Sequence, residues 1–366
     1  MRKLKRGVAM YATDITDHYL VGSQKHAVRI TTPIEKALIT TLAAGADEGE
    51  LRALLSTLTP AQQAESEELF AALDSAQLSQ HREGKLALSK RFISTSSGRA
   101  TKNSRPEMDA AFIQLQNRVG AELTQTNWIP GVDDGGIEIL SARQDILIEI
   151  SGTNRVATIL YSLLLASGAT QTRFAPSARE TSRLVGDLDI AIGSFTSNHI
   201  GYAFDKQCEV IRRELSLFPL DRENDYLDEL SSPDFRIHCG DIDPERLAIW
   251  MNSDLPFMHI PTPLADVAQI GPIVIPGKSP CLRCAELAER DQSGVRNREP
   301  LLHNAESEYP VIAAHFIASL AASQILAFFE KQSSETTGKV ISLDYQALAY
   351  PQVVTLARHP LCGCAF

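Results

Sequence analysis

Two close-spaced cysteine pairs, Pro280-Cys281-Leu-Arg-Cys284 and Pro360-Leu361-Cys362-Gly-Cys364, constrain this chain more than any other feature. Four thiolates at such spacing suit tetrahedral Zn2+, and a site closed by four protein ligands is structural, not catalytic. If the pairs share one metal they must meet in space, although they lie far apart along the chain. A redox pair is the rival reading for Cys281 and Cys284, but nothing thioredoxin-like flanks them. Disulfides are disfavoured by compartment. Cys208 and Cys239 stand alone and read as small buried side chains rather than nucleophiles.

The compartment follows from the rest of the sequence. The basic start Met1-Arg-Lys-Leu-Lys-Arg6 is followed by Gly7-Val8-Ala9-Met10 and then by Asp14 and Asp17, too short an apolar stretch for a secretory signal. Val311 to Phe329 contains no Asp, Glu, Lys or Arg, close to the length of a spanning helix. It is rich in Ala, holds His315, Ser319, Ser323 and Gln324, and lies between the cysteine pairs, so it reads as a buried helix. A cytoplasmic protein without a membrane partner is expected. With 366 residues, 44% of them hydrophobic and 22% charged, the chain is long enough for two or three domains. A formal net charge of -10 argues against general nucleic-acid binding.

The N-terminal part reads as a compact α+β unit. Tyr19 to Ile30 predicts two short strands turning around Gly22-Ser23-Gln24. Thr32-Pro33-Ile34-Glu35 has the residues of a capping box and opens a helix that ends near Gly45. Asp47 caps a second helix, and Thr59-Pro60-Ala61-Gln62 opens a third, with apolar residues at helical spacing in each. Strands followed by three short helices predict a winged-helix-like module. Its third helix carries Glu65, Glu67, Glu68 and Asp74 and no Lys or Arg, a face that would repel DNA, so a peptide is the expected partner. The simpler alternative is a module that only packs against the rest of the chain. Ser94 to Ser104 reads as a polar linker, and a helix from about Pro106 to Leu123 follows it.

The second part opens with a buried strand over Asp145–Ile150 and the turn Gly152-Thr153-Asn154-Arg155-Val156-Ala157. A helix to Gly168 and strands at Thr170–Phe174 and Asp187–Ile192 complete the βαβ pattern of a doubly wound sheet. A phosphate-binding turn wants Gly-x-Gly-x-x-Gly; here Asn154 and Ala157 replace two of the glycines, and the fingerprint of a NAD-dependent oxidoreductase is incomplete.

From Gly152 onward the chain resembles the ThiF and E1-like adenylating enzymes, and more narrowly the E1-like F protein, the leader-peptide-binding partner of azoline-forming RiPP cyclodehydratases. Ile270-Gly-Pro-Ile-Val-Ile-Pro-Gly277, Ser279-Pro-Cys-Leu-Arg-Cys284 and His359-Pro-Leu-Cys-Gly-Cys364 carry the resemblance, supported by the Ala-rich helix after Tyr309-Pro310 and the Gly152 turn. The N-terminal unit is similar to the RiPP recognition element of such proteins. The implied fold is α/β: a winged-helix-like peptide-recognition domain over 1–85, a linker and helix over 86–135, and a Rossmann-like E1 domain with a four-cysteine zinc site over 136–366.

The resemblance implies ATP and Mg2+ at Gly152, Asn154 and Arg155, but departures from the adenylating pattern speak against a working site. Ala175 stands where active members hold a ribose-binding acid, Arg155 and Arg173 are the nearest candidates for the triphosphate, and Asp187 or Asp189 for Mg2+. The implied function is non-catalytic: binding a precursor leader peptide and delivering it to a modifying enzyme such as a YcaO cyclodehydratase. A true adenylating enzyme acting on a peptide or carrier-protein carboxylate is the alternative. The peptide is expected to add as a strand along Tyr19 to Ile30, with pockets beside Tyr19, Val21, Val28 and Ile30 unless these face the domain's own core. A homodimer is implied too, with Val311–Phe329 near its interface or, equally, inside the monomer core.

Overall fold

A computed structural model of the protein describes residues 2–23, 25–45, 47–82, 84, 86, 118–152, 154–175, 183–218, 232–294, 308–330 and 334–364. The chain divides into two units, Met1–Ser89 with Arg99–Ala142, and Lys90–Gly98 with Arg143–Phe366.

In the first unit, β1 (Lys3–Leu4) leads to β2 (Ala9–Ala12), β3 (Tyr19–Gly22) and β4 (Ala27–Ile30), an antiparallel sheet in which β3 is central. The β3–β4 turn needs Gly22: its φ is +152°, and a Cβ there would lie 2.1 Å from the His26 carbonyl. Helix α1 (Pro33–Ala43) starts on a complete Thr32/Glu35 capping box, and α2 (Glu48–Ser56) on the same device from Asp47 and Glu50. Helix α3 (Pro60–Ser75) follows Thr59, with Gln62 reaching back to the cap's N–H. All three begin where the sequence predicts. Val21, Ile30, Leu38, Ile39, Leu42, Leu51, Leu69, Leu73 and Leu78 form this unit's core. Strand β5 (Ser79–Gln80) pairs with β1. The expected linker at Ser94–Ser104 lies outside the described residues. The helix expected to reach Leu123 is described at 118–126, and α4 (Ile137–Ala142) closes the unit.

The second unit is built on β6 (Leu147–Ser151), α5 (Arg155–Ala166) and β7 (Gln171–Phe174), the expected strand–turn–helix–strand. Asp145 belongs to a short 3-10 turn before β6. The expected strand at Asp187–Ile192 is corrected: Asp187–Asp189 is a 3-10 turn. The reason is the Asp189 carboxylate, which accepts from the Gly186 N–H at 2.9 Å and folds the backbone back on itself. Next come α6 (Phe204–Leu215), β8 (Phe235–Cys239), α7 (Pro244–Met251), β9 (Phe257–Ile260), β10 (Val267–Ile270) and β11 (Ile273–Val274). The main sheet has the order β11-β9-β8-β6-β7, parallel except for β11. Because β7 lies on one side of β6 and β8 on the other, the chain reverses direction between β6 and β8, and a crevice opens at their carboxyl ends.

Helix α8 (Leu282–Ser293) follows the first cysteine, and α9 (Val311–Phe329) crosses the second unit. Eight residues of α9, from Ala313 to Leu326, are buried beside α5 in the main core, and small Ala side chains let the two helices approach closely. This is the one helix among the described residues long and apolar enough to cross a membrane. Strands β12 (Lys339–Asp344) and β13 (Gln352–Thr355) extend β10 into a second, antiparallel sheet that returns the chain to the first cysteine pair.

Candidate metal centre and nucleotide crevice

The fold brings Cys281, Cys284, Cys362 and Cys364 together, with all four sulfurs within 4.8 Å of one another. Cys281 and Cys284 sulfurs are 3.8 Å apart, Cys281 and Cys362 3.3 Å, and Cys284 and Cys364 3.4 Å. Ligands of a tetrahedral zinc at its usual Zn–S bond length sit roughly 3.7 Å from one another. Donor type, number and spacing therefore fit a metal such as zinc. Trp250, Phe257, Val274 and Leu282 pack around the buried Cys281 and Cys284, while Cys362 and Cys364 are half-buried.

Local structure fixes each ligand. Cys281 caps the N-terminus of α8, which places Cys284 one turn along on the same face. The second pair lies in a tight turn in which the Cys362 N–H donates to the His359 carbonyl at 3.0 Å, and Gly363 takes a φ of +75°. The His359 N–H donates to the Cys284 sulfur at 3.3 Å. Its ring accepts from the Leu361 N–H at Nδ1, which leaves Nε2–H to donate to Asp291 at 2.9 Å. His359 and Asp291 support the ligands, and only His359 had a sequence signal, through its place beside the terminal pair. Burial opposes ionisation of Cys284, yet donation from the His359 N–H and the main chain at Cys281, together with the Cys364 thiol, brings its pKa down to about 7. Cys364 is pushed up to about 11, chiefly by burial.

The crevice between β6 and β8 gives another account of the glycine turn. Gly152 has φ +99°, and a Cβ there would sit 1.9 Å from the Cys239 carbonyl. Contact with the neighbouring strand is thus enough to require glycine. The Asn154 side chain accepts from the Ala157 N–H at 3.0 Å and acts as the N-cap of α5. The Arg155 guanidinium donates from Nε to the Ile190 carbonyl at 3.2 Å and from Nη1 to the Tyr309 carbonyl at 2.9 Å. Arg173 pairs with Glu149 at 3.3 Å. Asp189 is buried and bound to Arg183, whose guanidinium stacks 4.4 Å from the Phe204 ring centroid; Asp187 is exposed. Ala175 follows β7, its N–H donating to the Ile150 carbonyl. Each cation and buried acid that the sequence offers for ATP and Mg2+ is engaged with the protein itself, so these residues do not fit a nucleotide.

The peptide residues divide. Val21 and Ile30 have no exposed surface and lie in the first unit's own core, which corrects their expected place beside ligand pockets. Tyr19 and Val28 are half-buried, and the Lys36 ammonium donates to the Tyr19 hydroxyl at 2.5 Å. Strand β3 is paired on both sides, so among the described residues the edges of this sheet are β2 and β4, and Ala27 and Arg29 of β4 are exposed. Glu65 accepts from the Thr32 hydroxyl, whereas Glu67 and Glu68 are exposed on α3.

No family profile and no curated protein matches the sequence. Solved structures do match it over its length. The microcin C7 biosynthetic enzyme MccB in complex with N-formylated MccA is 13% identical, with a TM-score of 0.64, covering 100% of this chain and 99% of that one. E. coli MccB with ATP is 15% identical, with a TM-score of 0.60 and the same coverage. PaaA is 13% identical, with a TM-score of 0.61, covering 96% of this chain and 99% of its own. At such identity the likeness concerns the fold, and the fold it identifies is the E1/ThiF-like one.

Proposed function

We propose that this chain is a RiPP biosynthesis protein that binds a precursor leader peptide through its winged-helix-like N-terminal unit and delivers it to a separate modifying enzyme, such as a YcaO cyclodehydratase. The observation that carries this reading is the open edge of β4 in a chain whose fold, over its full length, is that of an enzyme solved with its peptide MccA. An extended peptide added there gains main-chain hydrogen bonds, and its side chains take alternate sides. Exposed Glu67 and Glu68 favour a ligand with basic character. The four-cysteine site holds structural zinc in this reading.

MccB has also been solved with ATP, which favours adenylation as a second reading. The engagement of Arg155, Arg173 and Asp189 within the protein speaks against it here.

The test is titration of leader-type peptides against the isotope-labelled full chain. Basic peptides are expected to bind with micromolar affinity, and Glu67→Lys with Glu68→Lys to weaken them about tenfold, the equivalent of about 1.4 kcal/mol. Resonance shifts confined to residues beyond 142 would overturn the assignment. Pyrophosphate exchange driven by a peptide carboxylate would instead promote the adenylating reading.

A further inference from the structure

The crevice at the carboxyl ends of β6 and β8 is filled by the chain itself. Tyr309 is 3% exposed, and its hydroxyl donates to the Pro261 carbonyl just past the end of β9. Burial first, and then the charges of Cys239, Tyr345 and Asp241, push the phenol above its ordinary pKa. Pro261 follows the end of β9, whose Ile260 carbonyl accepts from the Gly240 N–H just past β8 at 2.8 Å, so the anchored phenol lies at the carboxyl ends of these strands. Arg155, in the first turn of α5, grips the main chain of Tyr309 and of Ile190 together.

We propose that Arg155 and Tyr309 form a latch and plug that hold this crevice shut: the guanidinium ties two segments across its mouth, and the phenol ring occupies it, so that a nucleotide is excluded by the chain's own side chains. Two independent features converge on this. The ring is anchored by its hydroxyl at one strand end, and its main chain is anchored by a cation that would otherwise face phosphate. A bidentate guanidinium is well suited to such a clamp, because its donors are rigidly splayed and always charged. The device is separate from the first unit's peptide edge and stands whether or not that edge binds peptide.

The full-length protein tests it with Tyr309→Ala, Tyr309→Phe and Arg155→Met, read by hydrogen exchange and by titration with the fluorescent nucleotide TNP-ATP. Arg155→Met is expected to speed exchange at 187–192 about tenfold or more, since it removes charged hydrogen bonds holding that segment. Tyr309→Ala is expected to bind TNP-ATP at least about tenfold more tightly than the wild type, while Tyr309→Phe, which keeps the ring, stays near the wild type. Equal nucleotide affinity in Tyr309→Ala and wild type would overturn the plug. Unchanged exchange at 187–192 in Arg155→Met would overturn the latch. If Tyr309→Ala does not fold, the idea stands or falls on Arg155→Met, which removes no ring from the core.

Discussion

Gly152 is held by sterics on one side and backbone geometry on the other. Its positive φ is strained for any L side chain, and a methyl group would overlap the Cys239 carbonyl. Gly152→Ala is therefore expected to destabilise the second unit by about 3 kcal/mol or more, measured as a fall in its melting temperature. An alanine variant that melts with the wild type would remove this account of the turn. Arg143 and Glu330 make a second residue-scale case: both are buried, their charged atoms are 2.6 Å apart, and Arg143 also donates to the Ser167 carbonyl at 2.7 Å. Removing one partner strands the other charge, so Arg143→Leu should cost about 3–5 kcal/mol in denaturant unfolding. Adding Glu330→Leu should return part of that loss, because no lone carboxylate then remains buried. At this scale the cysteines were legible, since metal chemistry demands particular residue types at particular spacings. Arg155 was not: its partners are the carbonyls of Ile190 and Tyr309, and every residue carries the same carbonyl, so only position in space singles these two out.

Elements were legible where their ends are written in local chemistry. Thr32 with Glu35 and Asp47 with Glu50 announce helices because the cap is a contact between near neighbours. Asp187–Ile192 misled because its apolar run matches a strand, while the Asp189 carboxylate, accepting from the Gly186 N–H and paired with Arg183, decides for a turn. Strands β2, β8, β12 and β13 gave no such local signal, and their pairing depends on distant partners. The metal-bearing elements join these two cases, since α8 and the terminal turn are each simple locally but depend on one another for the site. Freshly purified protein is expected to contain close to one zinc per chain by elemental analysis. Cys284→Ser should lose that metal and lower the melting temperature of the second unit, given roughly 10 kcal/mol of zinc binding linked to folding in small domains. The pH dependence has a defined sign. The Cys284 thiol is depressed to about 7 in the metal-free fold, so its ionised form adds stability above the ordinary thiol pKa and loses it as pH falls through 7. Proton competition for the thiolates acts the same way, so zinc retention should fall on acidification from about pH 8 to about pH 5.5. Zinc held unchanged across that range would contradict a thiolate site.

At the scale of the whole molecule, the described surface of the second unit carries an apolar region at the start of α9 that the monomer leaves uncovered. Ile192 is 81% exposed and Ile312 77%, and Phe316 stands one turn from Ile312 on the same face of α9. The His315 ring, beside them, bonds to the Ile192 carbonyl at 2.9 Å, which holds the 187–192 turn against the start of this helix. Large aliphatic and aromatic side chains clustered in this way mark an association surface more often than a solvated one. The long apolar helix fills the monomer core from Ala313 to Leu326, while Ile312 and Phe316 in its first turns stay exposed. We expect a homodimer that uses this face, an isologous contact in which the helix starts of two copies meet. Light scattering at micromolar concentration should give twice the mass of one chain. Ile312→Asp should give the monomer mass, because burying an unpaired carboxylate at the centre of such a contact outweighs the remaining apolar gain. The substitution is on an exposed side chain, so melting of the isolated chain should change little, within about 0.5 kcal/mol. A wild-type protein of single-chain mass at all concentrations would leave this face to another partner, and an Ile312→Asp dimer would move the interface elsewhere.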